Sequence, residues 1–549
     1  MERTLIIQLS RMGDLIQTLP LLRSLRQDSP SREITLVCLR EFQPVVAQQK
    51  VFDRLVVLDL EDVQRLRGET TRQNFWSLPP FCEIPEFRDE YGWVVNLTHD
   101  EASGVLCEKL SSRHKSGRVH TYPDEIRLLG DWAKYLFAAV GHRTQNLFNL
   151  VDIYLGLGGA PRRPVRHYLD VDSDEEQAAL ADLRSRGCRQ NGKRVAFQMG
   201  ASESRRAWPV EKFAALAKRL MEDAEVEILL LGDQKERALG EQFAQLAGHL
   251  AIDLIGNTGF SRLASVLKLC DLLVSNDTGT IHLAAACGTR TVGLYFATAY
   301  FAETAPYGDN HVVLQVESGS TSGDDSACSA ASRSADFLSV EAVLAVVRMA
   351  LGHGEDWPSN APKLAIYRSA FLANGTLVYA PIGKEPISRN YWISFLNRLM
   401  WERALGIPTD SAFVAELVTR LSAATQFESQ VLDFRQGLRL MQSRLAEGFA
   451  LARQMSEDSA PTGQTGPRPI GVHERLTETV REVSGFRESH GLLADFFHYE
   501  LMDLDYLPAP ALAQALAGKF KKLANLCRLF SDTLDDVEAL VRSRTERRT

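Results

Sequence analysis

The chain has no long apolar run. Over its 549 residues nothing approaches the roughly 20 consecutive apolar residues that a bilayer-spanning helix requires. The apolar run in the opening MERTLIIQLSRMGD is too short for a secretory leader, and no small-residue cleavage site follows it. It reads as a first strand, and the expected compartment is the cytoplasm. Cysteine is sparse. Cys38, Cys82, Cys107, Cys188, Cys270, Cys287, Cys328 and Cys527 form no CxxC pair, and several lie in apolar contexts such as ITLVCL and HLAAACG. That pattern speaks against a zinc ribbon or a disulfide framework and for reduced, buried thiols. An excess of basic charge is also missing. The net charge is −8, all of it within residues 166–355, and both flanking regions are neutral. Nucleic acid is therefore not an expected partner, and contact with a membrane is expected to be peripheral at most. There is no Walker A sequence, no GxSxG, no HExxH and no GxGxxG after the first strand. The acidic stretch LDVDSDEE, with Asp170, Asp172 and Asp174, reads as a polar helix start. His99, His114, His120 and His142 lack metal-ligand spacing, so no metal site is expected.

What is present is a long chain of ordinary globular composition, 45% hydrophobic and 24% charged, too long for one core. In residues 1–165, TLIIQL (4–9), EITLVCL (33–39), RLVVLDL (54–60) and GWVVNLT (92–98) read as strands. Leu15, Ile16, Leu19, Leu22 and Leu25 mark one face of a helix between the first two. Runs this apolar suit parallel strands covered on both faces. A second series spans 166–355, with strands at 193–199, 226–232, 251–256, 271–276, 290–295 and 311–316. The expectation is α/β: two Rossmann-like, doubly wound parallel-sheet domains, with a ligand cleft between the carboxyl ends of their strands. Residues 72–92 show no period and read as a loop or insertion; the Ser/Gly-rich 318–336 reads as a flexible loop. From 360 to 549 the pattern changes. A hairpin centred on Asn374-Gly375 precedes helical stretches at 389–405, 411–456, 471–503 and 509–545, with a Pro/Gly linker at 457–471. This is expected to be a mostly α-helical accessory domain that packs on the core, serves oligomerisation or a protein partner, or docks an acceptor.

Four stretches could carry chemistry. In SNDTGTIHLAAACGT (275–289) a strand ends, and Asp277, Thr278, Gly279 and Thr280 lead into a helix with His282 in its first turn. Free N–H groups and the helix dipole at such a start favour a phosphate. The plainer reading is an N-capped helix with a buried histidine. MGASESRRAWP (199–209) offers Ser202, Ser204, Arg205 and Arg206, and a guanidinium can grip a diphosphate; the alternative is a solvated loop with Trp208 in a seam. In LLLGDQKERALG (229–240), Glu236 follows a strand and suits sugar hydroxyls, although a glutamate near a helix start is common without such a role. In SRMGDLIQTLP (10–20), Asp14 follows the first strand and either caps its helix or faces the cleft as a general base.

Taken together, LIIQLSRMGDLIQTLPLLRSLR, MGASESRRAWPVEKFAALA, DLLVSNDTGTIHLAAACGTRTVGLYFAT and APYG (305–308) resemble glycosyltransferase family nine, the ADP-heptose:lipopolysaccharide heptosyltransferases and their relatives. The resemblance covers about residues 1–350. It implies a GT-B fold and inverting, metal-independent transfer from a nucleotide-diphospho-sugar, ADP-heptose among the candidates, with no cofactor. It implies Asp14 as base, with Arg11 and Gly13 beside it on the acceptor side. Ser202, Arg205, Arg206, Glu236, Asp277, Thr278, Gly279, Thr280 and His282 are implied to bind the donor. The insertion, a single Cys328 where relatives carry several, a neutral N-terminal half and the long helical region depart from the family pattern. They keep a glycan, a lipid-linked glycan such as the lipopolysaccharide core, and a protein all open as acceptors. Two other readings stand beside transfer. One is a GT-B-type epimerase or hydrolase, and the other is a non-catalytic scaffold working through its helical region.

Overall fold

The computed structural model describes residues 2–67, 75–77, 79–121, 125–161, 164–165, 167–222, 225–296, 299–316, 337–353, 364–382, 387–421, 427–458, 475, 478–479, 482, 487–502 and 509–546. The expected loop at 318–336, with Cys328, and nearly all of the linker at 457–471 lie outside them. The chain divides into two compact units, one of residues 1–124 with 148–385, the other of residues 125–147 with 386–549.

The first unit holds two sheets. In the first, β1 (Arg3–Ile7), β2 (Glu33–Leu39), β3 (Arg54–Leu58), β4 (Tyr91–Asn96) and β5 (Ser112–Thr121) lie in the order β3-β2-β1-β4-β5, all parallel. Their near-continuous apolar sequences follow from coverage on both faces. A further strand, β6 (Glu125–Leu129), belongs to the second unit. The second sheet contains β7 (Lys193–Gln198), β8 (Val226–Leu231), β9 (Ala251–Asp253), β10 (Leu272–Asn276), β11 (Arg290–Tyr295) and β12 (Val312–Val316). From one edge the order is β9-β8-β7-β10-β11-β12. Each sheet is thus wound outwards in both directions from an inner pair, β1/β4 or β7/β10. The strand order reverses there, and the crevice beyond the carboxyl ends of that pair is where such sheets take ligands. The architecture is the GT-B type, two Rossmann-like halves, as expected.

Two expectations are corrected. The hairpin assigned to the accessory domain, β13 (Leu364–Phe371) and β14 (Leu377–Pro381), instead extends the second sheet: β13 pairs antiparallel with β12, Leu314 opposite Ile366. A turn signal fixes a hairpin locally but is silent on which sheet edge it joins. The carboxylate of Asp152, fully buried, accepts from the Tyr307 hydroxyl at 3.2 Å and from the Leu377 N–H at 3.0 Å, and so ties this hairpin down. The insertion is also not a featureless loop. Phe75, Phe81 and Phe87 are buried, with ring centroids 4.8 and 6.5 Å apart along the series. Asp89 pairs with Arg3 and Arg54, which both reach Glu33. These four residues sit at the amino ends of β1 to β4, opposite the carboxyl-end crevice.

The helix after β1, α1 (Met12–Asp28), contains Pro20. Proline has no N–H, so the Ile16 carbonyl four residues earlier loses its helical donor. His167 Nε2 lies 3.2 Å from that oxygen, and its Nδ1 lies 3.2 Å from the Tyr307 carbonyl. Three other helices matter for the site: α2 (Leu150–Leu157), α3 (Val210–Leu220) and α4 (Gly279–Ala286).

Among its described residues the second unit is helical apart from β6 and short turns. Its long helices Phe427–Asp458 and Ala509–Glu546 pack against each other. Arg398 and Glu402, one turn apart on Arg389–Ala404 and each about 1% exposed, pair at 2.9 Å. Arg398 also donates to the Leu147 carbonyl. Glu500 is equally buried and takes Lys134, Lys519 and Lys522 at 3.1, 2.6 and 2.5 Å. Among the described residues no helix is long and apolar enough to cross a membrane.

Candidate active site

Four strands flank the two switch points, and each closes on a buried amide. Gln8 follows β1, Asn96 ends β4, Gln198 ends β7 and Asn276 ends β10, and none is more than 5% exposed. Their side chains fix the loops that leave the sheets. The Gln8 carbonyl oxygen accepts from Ser10 N at 3.2 Å, and that of Asn96 accepts from Thr98 N at 3.0 Å. Asn276 Nδ2 donates to the Met199 carbonyl at 2.7 Å, and its Oδ1 accepts from Trp208 N at 3.0 Å. The 199–208 loop is therefore clamped to the end of β10.

Asp14 stands in the first turn of α1 and is half-buried. Its Oδ2 accepts from Arg11 N at 3.3 Å, so the capping role read from the sequence is real. Burial raises its pKa above the ordinary aspartate value, against the backbone hydrogen bond and charge of Arg11, and the charge of Asp277 adds to the rise. Desolvation here outweighs what the helix start offers the ionised carboxylate. Arg11 itself is exposed.

At the second switch point Asp277 pairs with Arg206, and the two side chains are 10% and 15% exposed. The helix α4 begins at Gly279, two residues earlier than its spacing suggests. Thr278 at its N-cap makes no side-chain cap, and its hydroxyl lies 3.3 Å from that of Ser275. Thr280 Oγ1 reaches Gln198 Oε1 at 3.4 Å, and Gln198 Nε2 donates to both Glu236 oxygens at 3.0 Å. Glu236 also takes the Asp233 N–H at 2.8 Å and lies over Gly200, where a Cβ would stand 1.3 Å from Glu236 Oε1. Thr280 and Glu236 are thus joined through Gln198.

His282 is 5% exposed, and its Nδ1 has no hydrogen-bond partner among the described residues. Burial pushes its pKa down to about 3, helped by the nearby His167 and His311, so it is a neutral imidazole. It packs against Gly13 rather than standing as a cation. Arg205 pairs with Glu203 at 2.6 Å, and Ser202 is exposed. Asp172 caps helix Ser173–Ser185 through a 2.8 Å bond from Asp174 N, which matches the polar-start reading of LDVDSDEE. Among the described residues no group of three or more His, Cys, Asp or Glu side chains could hold a metal ion.

The structure therefore brings Gly13, Asp14, Arg206, Asp277, Thr278, Gly279, Thr280 and His282 to facing switch points, with Glu236 joined to them through Gln198. Gln198 and Asn276 were missed in the sequence. Their signal was an amide closing an otherwise apolar strand, in RVAFQ and LLVSN.

Residues 87–331 match the model of glycosyltransferase family 9 (heptosyltransferase). Lipopolysaccharide heptosyltransferase 1 of Campylobacter coli is 23% identical over 305 residues, which are 53% of this chain and 83% of that protein. Lipopolysaccharide core heptosyltransferase OpsX of Haemophilus influenzae is 27% identical over 320 residues, 57% and 83% of the two chains. A crystal structure of a glycosyl transferase of family 9 from Veillonella parvula has a TM-score of 0.52 at 20% identity, over 64% of this chain and 97% of that one. At that identity the structural likeness is one of fold.

Proposed function

We propose that this chain is a nucleotide-sugar-dependent glycosyltransferase of family 9 and that it inverts the anomeric centre in a single displacement without a metal ion. Asp14 takes the proton of the acceptor hydroxyl. The freed oxygen attacks the anomeric carbon, and the bond from that carbon to the diphosphate oxygen breaks on the opposite face. The electron pair leaves with the diphosphate. Arg206, the first-turn N–H groups of α4 and the hydroxyls of Thr278 and Thr280 offset its charge. Asp277 and the neutral His282 hydrogen-bond the sugar side of the donor, and Glu236 holds ribose hydroxyls. ADP-heptose is the donor in this reading, and the hydroxyl belongs to a glycan. The lipopolysaccharide core leads because the named relatives act in its synthesis, with a protein-borne acceptor second. The observation that carries the reading is the placement of Asp14. It is a half-buried carboxylate of raised basicity at one switch point, electrostatically in reach of Asp277 at the other.

The test is transfer by purified protein across ADP-, UDP- and GDP-sugars, with lipopolysaccharide core and protein acceptors, and the anomeric configuration of the product read by NMR. Inverted product from wild type, with Asp14→Asn inactive yet still binding donor, is the expected result. Retained configuration or undiminished transfer by Asp14→Asn overturns it. Sugar isomerisation or donor hydrolysis without transfer would favour the epimerase or hydrolase reading.

A further inference from the structure

We propose that His167 is a positioning residue for Asp14. Its Nε2–H stands in for the backbone donor that Pro20 lacks, and so fixes the first turns of α1, where Asp14 sits. The inference rests on Asp14 as the base in the reading above.

Three carbonyls at the start of α1 meet a polar side chain. Gln17 Nε2 donates to the Gly13 carbonyl at 3.3 Å, and Thr18 Oγ1 to that of Asp14 at 2.9 Å. Both of those donors belong to α1 itself. The third carbonyl, of the fully buried Ile16, is the one that Pro20 leaves without a helical N–H. His167 Nε2 lies 3.2 Å from it. A buried carbonyl without a donor is costly.

His167 comes from the chain that joins the two sheets, and its neighbours fasten that chain on both site helices. The Arg23 guanidinium of α1 lies over the Tyr168 ring, 3.5 Å from its centroid. Leu169 N donates at 2.7 Å to the carbonyl of Ala286, the last residue of α4. The Asp170 backbone exchanges two 3.0 Å hydrogen bonds with the Gln49 amide. Residues 167–170 therefore set α1, which carries Asp14, against α4, whose start takes the diphosphate in the reading above. A reacting group displaced by about 1 Å can lose about a hundredfold in rate.

Burial pushes the pKa of His167 down to about 4, so near neutrality the ring has one proton to give. Two carbonyls compete for it, because Nδ1 lies 3.2 Å from the Tyr307 oxygen. Pro20 decides between them. The Ile16 oxygen has lost the donor that a helix supplies, so the proton sits on Nε2.

The experiment uses the full chain. Nitrogen NMR of the histidine rings, with His167 assigned by its loss in His167→Leu, should show the Nε2–H tautomer in the donor-free wild type. A proton on Nδ1 overturns the proposal, and the tautomer does not depend on the activity of any variant. His167→Leu removes the donor. Its kcat should fall roughly ten- to a hundredfold, with the donor dissociation constant from calorimetry little changed. Pro20→Ala returns a backbone N–H to the Ile16 carbonyl. In that background His167→Leu should cost much less, whereas a packing role alone would cost the same in both. A wild-type kcat in folded His167→Leu, or equal losses with and without Pro20, overturns the proposal, while an inactive Asp14→Asn leaves the base reading standing. Undiminished transfer by Asp14→Asn overturns both.

Discussion

Gly13 and Gly279 abut: a Cβ on Gly13 would stand 3.5 Å from the Gly279 Cα and 2.9 Å from His282 Cδ2. The starts of α1 and α4, which carry Asp14 and follow Asp277, therefore meet through two residues without side chains. Alanine in a helix is intrinsically favoured over glycine by about 1 kcal/mol. At Gly13 the clash with a buried ring should outweigh that gain, since overpacking costs about 1–3 kcal/mol. Gly13→Ala is expected to lower stability in urea unfolding and to lower kcat by shifting Asp14. Gly279→Ala should cost less, because its nearest obstacle, at 2.8 Å, is the terminal methyl of Met12, which can swing aside.

The pH dependence of transfer should report Asp14. A base works when deprotonated, and burial raises this group's pKa. Activity should therefore fall on acidification at a higher pH than an ordinary aspartate would give. His282 contributes no inflection near neutrality, being neutral down to about pH 3. Linkage runs the other way for stability. A carboxyl whose pKa is raised by folding favours the native state below its unfolded pKa, and that contribution is lost as pH rises through the folded value. Asp14→Asn should then be inactive yet have a higher Tm at neutral pH, checked by calorimetry at two pH values. A lower Tm would contradict the burial argument.

Gly200 gives Glu236 its place. A Cβ there would lie 1.3 Å from Glu236 Oε1, so Gly200→Ala must displace the carboxylate from Gln198 and Asp233. Loss of charge-assisted hydrogen bonds of roughly 1.5–3 kcal/mol predicts a donor KM raised roughly ten- to a hundredfold. The acceptor KM should be little changed, as two-substrate kinetics would show.

The helical unit has its own electrostatic anchor. Burial opposes ionisation of Glu500, but hydrogen bonds from Lys519 and Lys522 and the charges of Lys134 and Lys522 overcome it and hold its pKa at about 2. The stability it contributes is present above the unfolded value near 4.5 and is lost as pH falls through about 2. Glu500→Gln removes the buried carboxylate that Lys134, Lys519 and Lys522 share. A loss of about 3–5 kcal/mol is expected. Acid titration of helical circular dichroism should show a smaller decline between pH 4.5 and 2 in the variant than in wild type.

Phe81 lies in the middle of the insertion's aromatic stack, at the end of the first sheet away from the crevice. Phe81→Ala should cost about 3–5 kcal/mol without altering the acceptor KM. A changed KM would return the insertion to the acceptor side.

Both sheets were legible because parallel strands buried on two faces leave unbroken apolar runs, TLIIQL and DLLVSN among them. Even the motif loops could be placed, since each directly follows such a run. Pairing across distance was not legible. Nothing local to Asn374-Gly375 says that β13 will lie beside β12, and nothing in DWAKYLFAAVG (131–141) says which unit covers its apolar face. Charge partnership was equally hidden. Arg206 and Asp277 were each read as waiting for a ligand, yet they are 71 residues apart in sequence and hold each other. Gln198 and Asn276 were passed over because an amide has no chemistry of its own; their work is to hold the loops that do.

The two-segment make-up of the helical unit has a consequence for synthesis. Ala133, Tyr135, Leu136, Ala138 and Ala139 are buried in the finished chain, and the residues that complete their unit begin at 386. Lys134 awaits Glu500, and His142 awaits Asp495, 3.0 Å away. At about 5–20 residues per second on the ribosome, helix 131–141 spends on the order of tens of seconds outside the exit tunnel before its partners are made. During that interval its apolar face is a ready target for chaperones.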